Sequence, residues 1–249
     1  MRVLGLAGVA AFTVTSALVG FRLLRLAART HRAPELAMGL AFVLSAAVGF
    51  PLFTVALLLK QAGTAAGTVH GIESTGALFT YAGYLSLAIG NWRIFRADRR
   101  WPLAAIVALA TATCSVATVV VVLRDARPGQ PRELTIWAGV AIGLVVFAWS
   151  SAESLLLHRR LRRRLRLGLV EPEVVNRVLL WGVGSLAAVG MTAHGLALRI
   201  LLGPGDAISD GQRLVASGLG LVAAVAIGLA FFPPAAYRRR FAAPPIGSA

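Results

Sequence analysis

Long apolar stretches alternate with short polar breaks along this chain. The apolar runs occupy residues 3–27, 36–59, 74–94, 103–123, 134–157, 178–202 and 214–232, each near the roughly 20 residues needed to cross hydrocarbon as a helix. Backbone polar groups find no water in lipid, so runs of this kind must close their hydrogen bonds within themselves as helices. Their alanine and leucine content agrees. The pattern predicts an all-α polytopic bundle of seven transmembrane helices forming a single domain over residues 1–249.

The first run is read as a membrane anchor and not as a signal peptide. Only Arg2 precedes it, its apolar part is long for an h-region, and Arg22 and Arg25 follow it in place of a clear cleavage site. Orientation follows from the basic residues. Of 25 lysines and arginines, 18 fall within Arg22–Arg32, Arg93–Arg100, Arg159–Arg177 and Arg238–Arg240, leaving 7 for the opposite side. The N-terminus is therefore expected outside and the C-terminus in the cytoplasm, in an inner or plasma membrane. Trp92 and Trp101 bracket the third loop and Tyr237 and Phe241 flank the last arginines, as aromatic residues at headgroup level do.

Composition carries the same message. Hydrophobic residues make up 57% of the chain and charged ones 14%, with a mean hydropathy of +0.76, whereas soluble domains are about 25% charged. Seven spans leave no room among these 249 residues for a separate catalytic, kinase or ATPase domain. The formal charge of +15 would suggest nucleic acid in a soluble protein. Here the basic residues form blocks between apolar runs and no nucleic-acid-binding fold is recognisable, so the partner expected for them is lipid. Cys114 is the only cysteine, which excludes an intrachain disulfide, a CxxC pair and a thiolate metal cluster.

An internal repeat is suggested by shifting the chain 138 residues. Arg22 then falls on Arg160, Arg25 on Arg163, Pro34-Glu35 on Pro172-Glu173, and Ala88-Ile89-Gly90 on Ala226-Ile227-Gly228. Residues 1–96 and 134–241 would be parallel repeats joined by a linker helix over 103–123. Generic helix starts and cytoplasmic arginines would produce some of the same matches.

Ionisable residues inside spans come first as candidate chemistry, since a charge near the bilayer centre costs about 2.5–3.5 kcal/mol on an insertion scale. Glu153 ends the polar stretch Trp149-Ser150-Ser151-Ala152-Glu153. It reads either as a proton- or cation-carrying carboxylate or as a partner for loop arginines. His194 lies between Gly190 and Gly195; it reads as a ligand group or as a neutral histidine hydrogen-bonded to a neighbouring helix. Their depths differ too much for direct contact. Thr15, Tyr81 and Tyr84 offer hydroxyls to a polar path or to simple interhelical hydrogen bonds. Arg199 and Glu73 mark the outer boundary. Arg199 either reaches the headgroups or closes an outer gate with Glu73 or Glu133. Asp206 and Asp210 read as turn and cap residues.

Small residues recur as Gly182, Gly184, Gly190 and Gly195, as Gly218, Gly220 and Gly228, and as Gly49 beside Pro51. Close packing with a proline kink is one reading and a hinge or ligand cavity at the midplane the other. Arg159, Arg160, Arg162, Arg163, Arg164 and Arg166, interleaved with Leu161 and Leu165, predict an amphipathic cytoplasmic extension. It would meet anionic headgroups at about 1 kcal/mol per arginine or dock an acidic cytoplasmic protein.

No cofactor is implied. The last helix lacks the lysine that retinal needs, and His31, His70, His158 and His194 are too scattered for bis-histidine haem. They are also too scattered for the zinc site of a seven-helix ceramidase-type hydrolase. HExxH, GxSxG and phosphate-binding glycine loops are absent. The three-plus-one-plus-three plan resembles that of SWEET and PQ-loop transporters over nearly the whole chain, in organisation. Those families carry a Pro-Gln dipeptide in each repeat, where this chain has Pro34-Glu35 and Pro172-Glu173, and no functional residues carry over. The chain is also similar to other seven-helix bacterial membrane proteins. The leading expectation is movement of a small, weakly charged solute through a midplane cavity. A receptor-like sensor acting through its basic cytoplasmic loop ranks second, and a membrane-embedded enzyme third.

Overall fold

The computed structural model describes residues 2–122, 130–202 and 210–239, and every described element is helical. Helix α1 is Arg2–Thr30. A second rod is built from α2 (Ala33–Ala41), a π-helical segment (Phe42–Gly49) and α3 (Phe50–Gln61). Then come α4 (Ala66–Phe95), α5 (Trp101–Val122), α6 (Gln130–Leu165), α7 (Pro172–Leu202), α8 (Asp210–Phe231) and the short α9 (Ala235–Arg239).

Local chemistry sets the boundaries. Pro34 and Glu35 open the second rod, a proline with preset φ and an acid at the positive end of the helix dipole. Gly168, at φ 70°, ends α6 by donating its N–H to Leu165 O while Leu169 donates to Arg164 O. That pair of bonds needs a residue in the left-handed region, where glycine carries no Cβ penalty. The expected amphipathic extension is therefore continuous with its span: α6 runs 36 residues, about 54 Å at 1.5 Å per residue.

The proline kink expected in the second rod takes the form of a π-helix. Pro51 has no N–H to offer the carbonyl four residues back, and its ring crowds that carbonyl. The strain is relieved by widening the preceding turns, so that the Phe50 N–H bonds to Ser45 O, five residues back.

Among the described residues, six rods are long and apolar enough to cross a membrane: α1, the second rod, α5, α6, α7 and α8. The chain has the make-up of a multi-pass integral membrane protein. Helix α4 is as long, at 30 residues, but richer in polar side chains. Its position explains why that is tolerated. The second rod, α6 and α5 all pack on it, burying Thr80, Tyr81, Tyr84 and Asn91 against protein.

Six rods close into a ring in the order α1, second rod, α4, α6, α7, α8 and back to α1, and α5 packs outside it against α4 and α6. Small residues permit the close approaches at the seams. Gly20 and Gly39 serve α1 and the second rod, Gly83 the contact with Ser45, Gly143 that with Tyr84, Gly182 that with Leu155, and Gly8 that with Ser217. Side-chain contacts bring the arginine-bearing ends together. Arg22 of α1 meets Phe231 of α8, Arg96 at the end of α4 meets Glu153 of α6, and His158 of α6 meets the Val175 carbonyl of α7.

Candidate functional site

At the centre of the ring lies a cavity with about 520 Å³ of empty space, its mouth included, and all six ring helices line it. The first half of the chain contributes Phe12 from α1, Phe42, Ser45, Ala46 and Phe50 from the second rod, and Leu87 from α4. The second half contributes Phe147 and Ser150 from α6, Trp181, Gly184, Ser185 and Ala188 from α7, and Ile227 from α8. Helix α5 supplies nothing to it. No ionisable side chain is in the lining.

The lining sorts into an aromatic wall and a hydrogen-bonding wall. On the second-half side, Trp181 Nε1–H donates to Ser150 Oγ at 2.9 Å, and Ser150 Oγ and Ser185 Oγ lie 3.1 Å apart. Ser151 ties α6 to the Gly182 carbonyl one step behind, at 3.2 Å. Across from them the Ser45 hydroxyl donates to Ala41 O at 2.6 Å, which leaves only its lone pairs to face the cavity. The π-helical turn carries Ser45 and Phe42 into this lining, and such turns occur often at functional sites.

Toward the arginine-rich end, Phe42 and Trp181 of the lining cluster with Phe231. Phe42 stands edge-on to Trp181 at 6.3 Å and to Phe231 at 6.1 Å, and Trp181 and Phe231 lie 5.4 Å apart. Behind this trio, Arg22 Nη1 donates to the Phe231 carbonyl at 2.5 Å and its guanidinium lies 4.7 Å over the Phe232 ring. Phe12 and Phe50, 6.2 Å apart, stand at the other end.

The residues singled out from the sequence lie elsewhere. Glu153 is buried and paired with Arg96, Nε to Oε1, at 2.8 Å. This is the arginine-partner reading of that carboxylate. The hydrogen bond, and then the charge attraction, holds the Arg96 guanidinium above its ordinary range. Tyr81 and Tyr84 fill the α4–α6 seam against Gly139 and Gly143. Trp149 lies 6.3 Å from Trp101, and its buried indole nitrogen has no partner among the described residues. Thr15 sits in the α1–α8 seam, 3.5 Å from where a Cβ at Gly228 would be. His194 Nε2 is 3.0 Å from the Gln212 carbonyl, a backbone partner on the neighbouring helix. Glu73 lies 3.9 Å from His70, while the side chain of Arg199, and Glu133 with it, lie outside the described residues. Asp206 falls outside them too, as does the Asp210 side chain.

Arg159, Arg160, Arg162, Arg163, Arg164 and Arg166 are all exposed, with Leu161 and Leu165 half-buried, so the extension is amphipathic as its spacing implies. Gly182 and Gly184 serve close packing, and Gly184 also lines the cavity, so both readings of the small residues hold at one position. Gly195 and Gly218 face open space. Sequence reasoning missed Phe12, Phe42, Phe50, Phe147 and Trp181. The available signals were Pro51 beside Gly49 and the polar stretch that includes Ser150. Among the described residues no three of His, Cys, Asp and Glu come close enough to hold a metal ion.

Comparison with known proteins returns no matching family model, no matching curated protein and no matching solved structure. The functional reading therefore stands on the geometry of the ring and its cavity.

Proposed function

We propose that this chain is a small-solute transporter or facilitator of an inner or plasma membrane, with its path through the ring and its arginine-rich end at the cytoplasm. The observation that carries the reading is the cavity lined from all six ring helices and from both halves of the chain. Sites of this kind sit between repeats in many secondary transporters. In this reading α4 is a seventh crossing, sheltered from lipid by its three neighbours, and the N-terminus is outside.

The ring also favours the duplication. Replacing α1, the second rod and α4 by α6, α7 and α8 leaves the order of neighbours around the ring unchanged. The 138-residue offset places Phe12 on Ser150, Ala46 on Gly184 and Phe50 on Ala188, and all six line the same cavity. The halves meet at two seams, α1 with α8 and α4 with α6. Rocking about those seams would expose the cavity to either side in turn. Phe42, Trp181 and Phe231, backed by Arg22, form the cytoplasmic closure in this scheme. The arginines of the α6 extension rest on anionic headgroups, each contributing about 1 kcal/mol.

Flux into proteoliposomes over a broad solute panel tests this. A solute whose uptake exceeds that of empty liposomes, and falls when Ala46→Phe fills the cavity, is the expected result. No flux for any solute would contradict it. The receptor-like alternative draws on the exposed arginines of α6, and recovery of a cytoplasmic partner that is lost on deleting residues 159–166 would favour it instead.

A further inference from the structure

The chemistry of the cavity wall narrows what it accepts. Trp181 Nε1, Ser150 and Ser185 bring three polar hydrogens to one side of the cavity. They make two hydrogen bonds, Trp181 to Ser150 and one between the two serines. Whichever serine donates to the other, one hydroxyl hydrogen is left with no acceptor among the described residues. Ser150 is fully buried and Ser185 half-buried; a donor kept from water without a partner costs about 1–3 kcal/mol, so the site favours an occupant that brings an acceptor to this point.

Apart from Ser45, the rest of the wall is apolar, with Phe12, Phe42, Phe50 and Phe147 its largest members, and Ala46, Gly184 and Ala188 supply the open space. Rings favour flat apolar bodies through edge and face contacts. A cation would also meet aromatic faces here, but no carboxylate lines the cavity to balance its charge, and an unpaired ion at this depth is disfavoured. An anion would meet the negative faces of the rings.

We infer that the cavity binds uncharged solutes made of a single aromatic ring bearing one hydrogen-bond acceptor, held by the free hydroxyl of the Ser150–Ser185 pair. The inference rests on the reading of the cavity as a solute path, and it replaces the weakly charged solute expected from sequence with a neutral one.

Equilibrium dialysis of the full chain in lipid nanodiscs tests it, with empty nanodiscs subtracted. The probes are acetophenone, ethylbenzene as its counterpart without an acceptor, phenyltrimethylammonium and benzoate. Acetophenone is expected to be retained above the empty discs, and ethylbenzene about tenfold less. The variant carrying Ser150→Ala, Ser185→Ala and Trp181→Phe, which removes all three donors, is expected to bring acetophenone retention down to that of ethylbenzene, while Ser185→Ala alone leaves the Ser150 hydroxyl free and should keep the preference. Ala46→Phe should abolish both; should a variant fail to fold, the ratio of acetophenone to ethylbenzene retained by the parent and by Ser185→Ala decides, equal retention by the parent contradicting the inference. Equal retention of acetophenone and ethylbenzene, tighter retention of either ion, or a co-purified acyl chain that blocks the site would overturn the inference. Acetophenone bound in a serine-dependent way but never carried across liposomes would remove the transport reading and leave this one standing. Carriage of charged solutes with no acetophenone bound would do the reverse.

Discussion

The second rod and α7 occupy corresponding places in the ring, each the middle helix of its half, and they line the cavity in different ways. The second rod carries Pro51 and opens into a π-helix over Phe42–Gly49, presenting Phe42 and Phe50. Helix α7 has no proline after its first residue, runs unbroken from Pro172 to Leu202, and presents Gly184, Ser185 and Ala188. At each of three matched positions the first half has the larger or equally sized side chain: Phe12 against Ser150, Ala46 against Gly184, Phe50 against Ala188. The two halves fill the ring unequally, which yields a lopsided site, with Phe12, Phe42 and Phe50 on one side and the Trp181–Ser150–Ser185 hydrogen bonds on the other. Space for a ligand comes from small residues, Ala46 in the first half and Gly184 and Ala188 in the second.

The two seams between the halves differ as well. The α4–α6 seam holds the Arg96–Glu153 pair, with side-chain exposures of 26% and 11%. At the α1–α8 seam an exposed arginine rests on a backbone carbonyl. Glu153→Ala is expected to produce the largest loss, about 3 kcal/mol at the low end for a broken buried pair, because Arg96 retains some solvent. Thermal unfolding in detergent would show it, and Glu153→Gln should recover part. Equal stability of Glu153→Ala and the parent would remove the pair from the account.

Pro51→Ala sharpens the comparison between the middle helices. It restores an N–H to the second rod and removes the cause of the π-helix, so Phe42 and Ser45 should rotate out of the lining. Flux or ligand binding should fall by at least about tenfold, equivalent to about 1.4 kcal/mol, with no loss of thermal stability. Unchanged binding would mean that the widened turn serves only to relieve the proline.

Arg22→Ala should cost about 1 kcal/mol, given one charge-assisted bond and one ring contact at an exposed site. It should also make a cysteine placed at Phe231 more reactive from the arginine-rich side, in a background where Cys114 is replaced. Arg22→Lys should recover the charge but not the full geometry. The smallest effects are expected at Gly195 and Gly218, in the second half but away from any neighbour within 4 Å. Alanine at either should stabilise by about 0.5–1 kcal/mol without altering binding. A loss of binding there would show that the α7–α8 side of the cavity flexes during use.

The apolar runs were legible because insertion energies add along a segment, so the six long apolar rods announce themselves whatever their neighbours. Helix α4 shows the limit of that argument: its tyrosines, Thr80 and Asn91 make sense only once the second rod, α5 and α6 cover it. Glu153 was legible as a buried carboxylate near arginines, but Arg96, 57 residues away, could be assigned only from the folded ring. The cavity residues were the least legible. A phenylalanine facing a cavity has the same sequence signature as one facing lipid, and ring closure, which sorts them, is a long-range property. Pro51 beside Gly49 flagged the right turn of the second rod without giving its π form. Offset matches such as Phe12 with Ser150 carry no chemical likeness at all; only their shared place in the lining connects them.

The most direct measurement is a cross-link between Ala46→Cys and Gly184→Cys in a Cys114→Ser background, using a short bifunctional thiol reagent on membranes in which flux is also followed. A single central path through a six-helix ring predicts that the two cysteines, one from each half, join across the cavity and that joining them stops transport and ligand binding together. A folded protein in which each cysteine reacts only with lipid-phase reagents, and in which no cross-link forms, would contradict it.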